Sequence, residues 1–74
     1  MMIRPVFDKT LVRASEVRSF QISFGANGWE VFEKNDRGVA RRYHADWHRV
    51  ERTLERFQHE IDALRLAGWK ILSS

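Results

Sequence analysis

The longest regular pattern in the chain lies in residues 46–68, which read DWHRVERTLERFQHEIDALRLAG. Its large apolar side chains recur at alternating steps of three and four residues: Trp47, Val50, Leu54, Phe57, Ile61 and Leu64. This spacing collects them into one stripe along an α-helix. Asp46 suits the N-cap position, and Gly68 suits the left-handed position that ends a helix. The sequence therefore predicts a long amphipathic helix over about residues 47–67.

The apolar stripe of this helix has two interpretations. It either packs on a sheet of its own chain or meets the same stripe of a second copy. A helix of this length measures roughly 31 Å, whereas short strands span about 20–27 Å. The helix is therefore expected to extend beyond its sheet, with these apolar residues at the protruding end: Phe57, Ile61, Leu64 and Leu66. Because an uncovered apolar end favours association, we predict a homodimer.

Three segments before the helix alternate between polar and apolar residues, over about residues 17–24, 29–34 and 39–45. Such alternation is typical of half-buried strands. Asn27-Gly28 is a strong hairpin signal between the first two segments, and residues 35–38 form a second turn. The pattern predicts an antiparallel three-stranded β-meander.

The orientation of the strands decides which side chains reach solvent. In the second strand Trp29 and Val31 face one way, and Phe32 faces the other. In the third strand the apolar positions are assigned to the core: Val39, Tyr43 and Ala45. This assignment directs Arg42 and His44 to the outer face, beside Phe32.

The fold class predicted is therefore α+β, with a three-stranded meander followed by one long C-terminal helix. Residues 1–15 show no sustained period and are predicted to form an irregular arm, and residues 16–74 a single domain. Residues 69–72 alternate enough to form a short final strand. No apolar run approaches the roughly 18 residues of a membrane span, so we expect a cytoplasmic protein.

The composition leaves few routes to extra stability or to catalysis. At 74 residues the core is small, and Cys is absent, which excludes disulfides and thiolate metal sites. The three histidines lack further ligands at a suitable spacing: His44, His48 and His59. Glycine-rich phosphate loops and nucleophile motifs are absent from the sequence. We therefore predict no enzyme, no cofactor and no metal site.

The net charge of +3 is concentrated in the sheet half of the chain. Residues 1–45 hold eight basic and five acidic groups, whereas residues 46–67 hold four and five. Cations and one outward aromatic ring suit a surface that binds nucleic acid, single-stranded rather than duplex. The candidate binding residues are Phe32, Lys34, Arg37, Arg41, Arg42 and His44. The alternative is a protein–protein interaction module that binds no nucleic acid.

One family resemblance agrees with this hypothesis. Residues 38–41, Gly-Val-Ala-Arg, are followed by the apolar positions Trp47, Val50, Leu54 and Phe57. This order of hairpin, strand and helix resembles single-strand-binding coactivators of the positive-cofactor-four and Whirly type. The resemblance implies a basic sheet that holds single-stranded DNA and a helix that forms the dimer.

Overall fold

The computed structural model describes residues 4–73, and their side chains from residue 6 to residue 72. The elements in chain order are β1 (Arg4–Arg13), β2 (Glu16–Gly25), β3 (Gly28–Asn35), β4 (Gly38–His44), α1 (Trp47–Leu66) and β5 (Lys70–Ser73). The five strands form one antiparallel sheet in the order β4-β3-β2-β1-β5. The α+β class is confirmed, but the meander has four strands where three were predicted.

The additional meander strand is β1, which corrects the prediction of an irregular arm. Its residues pair with β2 from Arg13↔Glu16 to Arg4↔Phe24, with a bulge between Pro5 and Phe7. The bulge and the inward position of Lys9, which lies opposite the buried Phe20, hide the alternation in this strand. Residues 1–3 of the predicted arm, and residue 74, lie outside the described part of the chain.

The helix α1 packs its apolar stripe on one face of its own sheet. Val50, Phe57 and Ile61 are buried there against strand residues of which Phe20 is the largest. The rings of Phe20 and Phe57 meet edge to face, with 5.0 Å between their centroids. The remaining core residues are Leu11, Ile22, Val31 and Trp69, with Phe7, Trp29, Leu54 and Leu64 at the margin. Of the two interpretations of the stripe, the structure therefore shows packing within the chain.

The ends of α1 follow the capping signals in the sequence. The Asp46 carboxylate accepts the N–H of His48 at 3.0 Å. At the other end Gly68 has φ +99°, and the N–H of Trp69 donates to the carbonyl of Leu64 at 3.0 Å. This reversal returns Trp69 to the core and leads into β5, the predicted short final strand, which pairs with β1.

Four charged side chains join α1 to the middle of the sheet. Arg56 of the helix donates to Glu33 of β3 at 3.1 Å, and Arg18 of β2 donates to Glu60 of the helix at 3.3 Å. Arg18 and Glu33 also approach each other, at 3.9 Å. Because the Glu33 side chain is only 15% exposed, this cluster fixes the helix on the sheet in a partly water-free setting.

Candidate nucleic-acid interface

The sheet has a second face, turned away from α1, which we call the outer face. Among residues 4–73, no helix or strand packs over it. Cross-strand pairing arranges its side chains in rows that run from β1 to β4. An uncovered antiparallel face of this kind is available to a flat ligand.

The central row of the outer face contains Asp8, Gln21, Phe32 and Arg41, one from each meander strand. The guanidinium carbon of Arg41 lies 5.0 Å from the centroid of the Phe32 ring, at cation–π distance. Gln21 donates to the Asp8 carboxylate at 3.3 Å. The row thus presents an aromatic ring, a cation stacked on it and a polar amide within one continuous surface.

The next row towards the β2–β3 turn contains Ser23, Glu30 and Tyr43. The Tyr43 hydroxyl donates to Glu30 Oε2 at 2.6 Å, and Arg41 Nη1 lies 3.6 Å from the same oxygen. The hydrogen bond to Glu30, followed by the negative charge of that carboxylate, raises the pKa of Tyr43 above its ordinary value. A shallow depression of about 230 Å³ lies beside this pair and reaches the turn at Asn27.

The row on the other side contains Thr10, Ser19, Lys34 and Val39. Lys34 and Val39 are exposed, and Arg37 lies in the turn that joins β3 to β4. This row supplies a second cation close to the end of the sheet and two hydroxyl groups at its middle.

The predicted site residues do not all meet on this face. Phe32, Lys34 and Arg41 share it, with Arg37 in the adjoining turn. Arg42 and His44 lie on the helix side of the sheet, because they pair with Val31 and Trp29. The prediction that Arg42 and His44 flank Phe32 is therefore wrong.

The error has a geometric cause. The assignment of Val39 and Tyr43 to the core is also wrong, since both lie on the outer face and are exposed, and Ala45 lies beyond the end of β4. A two-residue turn at residues 36–37 pairs Asn35 with Gly38, and counting back from it places Phe32 opposite Arg41. That count was available in the sequence and would have placed Arg41, already a candidate, beside Phe32, and it would have added Tyr43.

Between β1 and β4 the outer face is balanced in charge, because Lys34 and Arg41 are matched by Asp8 and Glu30. Lys70 of β5, which pairs with Val12, adds one cation at the far edge. A ligand on this face would therefore be held mainly by stacking and by hydrogen bonds, and less by a strong positive field.

The described residues contain no cluster of three or more His, Cys, Asp or Glu side chains placed to hold a metal ion. Within the same residues, α1 is too polar to span a membrane, and no other helix is present. In comparisons with known proteins, no family model, curated protein or solved structure matches this chain.

Proposed function

We propose that the chain is a small homodimeric protein that binds single-stranded nucleic acid on the outer face of its sheet. The observation that carries the proposal is the uncovered central row, where Phe32 lies beneath the guanidinium group of Arg41. Tyr43 lies one row away. Two aromatic rings and a planar cation on one surface form a platform on which unpaired bases stack.

Polar neighbours of the platform suit the remaining contacts of a strand. Gln21, Ser23 and Ser19 offer donors and acceptors to base edges and sugars along β2. Lys34 and Arg37 lie to one side, where they would contact phosphates. Bases in a duplex are stacked on each other, whereas the bases of a single strand are free to stack on side chains, so an exposed aromatic platform favours single strands.

The charge balance sets the expected strength of binding. About three cations, Lys34, Arg37 and Arg41, contact phosphates in this arrangement. For a single strand this number corresponds to a slope of about −2 in a plot of log affinity against log salt concentration. Glu30 and Asp8 oppose phosphate nearby, so the affinity depends mainly on stacking.

The proposal is tested by fluorescence anisotropy of a labelled single strand at low and moderate salt. Phe32→Ala should weaken binding by a factor between about five and 150, since a stacked base contributes about 1–3 kcal/mol. Arg41→Ala should weaken binding and also flatten the salt slope. Arg52→Ala is the matched control, because it removes the same charge from the exposed side of α1. No binding by the unaltered chain at about 100 μM, or equal effects of Arg41→Ala and Arg52→Ala, would contradict the proposal.

The second candidate function is a protein–protein interaction module. Two strongly exposed leucines favour it: Leu66, 91% exposed, and Leu72, 67% exposed. The same titration separates the two functions, because such a module would bind neither single strands nor duplexes with measurable salt dependence.

A further inference from the structure

Strand β4 is an open edge of the sheet with little cover on either side. It pairs with β3 along its whole length, and within residues 4–73 no strand pairs with its other edge. Its residues from Gly38 to Tyr43 are all exposed, including Ala40 and Arg42 on the helix side. Edge strands are usually protected by a bulge, a proline, short length or charged side chains. Strand β4 has seven residues in unbroken register without proline, and its charged residues, Arg41 and Arg42, are adjacent.

The pairing with β3 determines which backbone groups remain free. Asn35 and Gly38 close a two-residue turn and so exchange hydrogen bonds, and such pairs alternate along an antiparallel ladder. The even-numbered residues of β4 therefore bond to β3. Val39, Arg41 and Tyr43 direct their N–H and C=O groups to the open edge, where they form a template for another strand.

A second copy of β4 fits this template in one register better than in the others. An antiparallel pairing centred on Arg41 or on Arg42 would set two guanidinium groups directly opposite each other, which is unfavourable. A pairing centred on Ala40 sets Ala40 opposite itself, Val39 opposite Arg41, and Gly38 opposite Arg42. This register also matches the free backbone groups, because residues 39 and 41 form its hydrogen-bonded pairs.

We propose that two copies of the chain pair antiparallel through β4, about a two-fold axis at Ala40, and form one continuous ten-stranded sheet. This inference specifies the homodimer proposed above and rests on it. It joins the two outer faces into one surface and brings a second Arg41 close to the axis. Arg37 of the second copy then lies opposite Tyr43, so each binding platform gains a cation from its partner.

The absence of cysteine makes the axis testable by single-cysteine crosslinking. Opposed residues of a non-hydrogen-bonded pair have Cα atoms about 4.5 Å apart, within the range of about 4.4–6.8 Å for a disulfide. Under mild oxidation without nucleic acid, Ala40→Cys should form covalent dimers at least about tenfold faster than Ser15→Cys, which lies in the exposed β1–β2 turn. Crosslinking no faster than that of Ser15→Cys, or faster crosslinking of Arg41→Cys, would overturn the proposed axis.

A second measurement needs no cysteine. Sedimentation equilibrium should give twice the chain mass of 8.8 kDa. Val39→Pro removes an N–H that points away from β3, so the monomer tolerates it, and it should raise the dimer dissociation constant about tenfold or more. Val39→Thr keeps the N–H and should leave the constant within a few-fold of the original. A dimer insensitive to Val39→Pro would refute the β4 interface.

These measurements separate the two proposals. A chain that binds single strands but fails the Ala40→Cys test retains the proposed function and loses this interface. A chain that crosslinks at Ala40 but binds no nucleic acid retains the interface and loses the function.

Discussion

Tyr43 and Glu30 form the shortest side-chain hydrogen bond of the outer face, at 2.6 Å. Both residues are on the solvent side of the sheet, where water competes for the same groups. The bond nevertheless matters for the platform, because it holds the Tyr43 ring beside Arg41 through a shared carboxylate oxygen. Glu30 therefore positions two members of the proposed binding surface while it opposes phosphate.

The titration of Tyr43 tests this geometry at the level of one residue. Tyr43 is the only tyrosine in the chain, so the ultraviolet absorbance of tyrosinate reports it alone. Its pKa should exceed the ordinary value of 10.0, because Glu30 stabilises the protonated hydroxyl. The hydrogen bond stabilises the folded chain fully at pH values below the ordinary pKa of tyrosine. This stabilisation is lost as the pH rises through the raised pKa of Tyr43. Glu30→Gln should move the midpoint down, and an unchanged midpoint would disprove the contact.

At the scale of elements, the Arg18–Glu33–Arg56–Glu60 cluster is the main polar connection between α1 and the sheet. Glu33 accepts a hydrogen bond from Arg56 of the helix and forms a longer ion pair with Arg18 of β2, while it is mostly shielded from water. Removing its charge leaves both guanidinium groups with fewer partners in a poorly solvated place. The cluster therefore helps to fix the orientation of α1 on the sheet, in addition to the apolar packing of the helix.

We predict that Glu33→Gln lowers the free energy of unfolding by about 1–3 kcal/mol. Glu16→Gln is the control, since the Arg13–Glu16 pair is about half exposed at both ends and such pairs contribute about 1 kcal/mol or less. Urea denaturation followed by circular dichroism measures both. Equal effects of the two substitutions would show that the cluster does not stabilise the helix on the sheet.

The elements also show how far the sequence predicts the fold. The helix is predicted to within one residue, because its stripe and both caps are local signals. The strand β1 is missed because Lys9 occupies an inward position and its partner β5 lies far along the chain. The predicted faces of β4 are reversed because this edge strand has no buried residue. Its hydrophobic pattern therefore does not show which side faces the core, and only the turn fixes the register. As a result, the sequence prediction wrongly assigns Arg42 and His44 to the outer face, and it misses Tyr43.

Over the whole molecule, the buried strand residues of the core lie in β1, β2 and β3. Burial decreases towards both edges of the sheet. The central strand β2 holds the fully buried Phe20 and the nearly fully buried Ile22. The edge strand β4 contributes no buried residue. Local openings should therefore cost least at the edges and most at the centre.

Native-state hydrogen exchange should show this gradient when the protein is diluted below the dimer dissociation constant, so that β4 remains an edge strand. Amides of Phe20 and Ile22 are expected to be the slowest, because only global unfolding frees them. The even-numbered amides of β4 should exchange faster, although they bond to β3. Uniform protection across the sheet would contradict a core confined to three strands.

The position of β5 has a consequence for folding kinetics. Every other strand pair of the sheet joins neighbours in the chain, whereas Leu11 and Ile71 are paired across 60 residues. Hairpins close within microseconds, but a contact of that sequence separation must first offset the entropy of a long loop. The meander can therefore form early in folding, and the pairing of β5 with β1 is expected to be the last step. The same pairing should be the first to open on unfolding, so the rate at which the buried Trp69 becomes exposed to solvent should report the earliest departure from the native state.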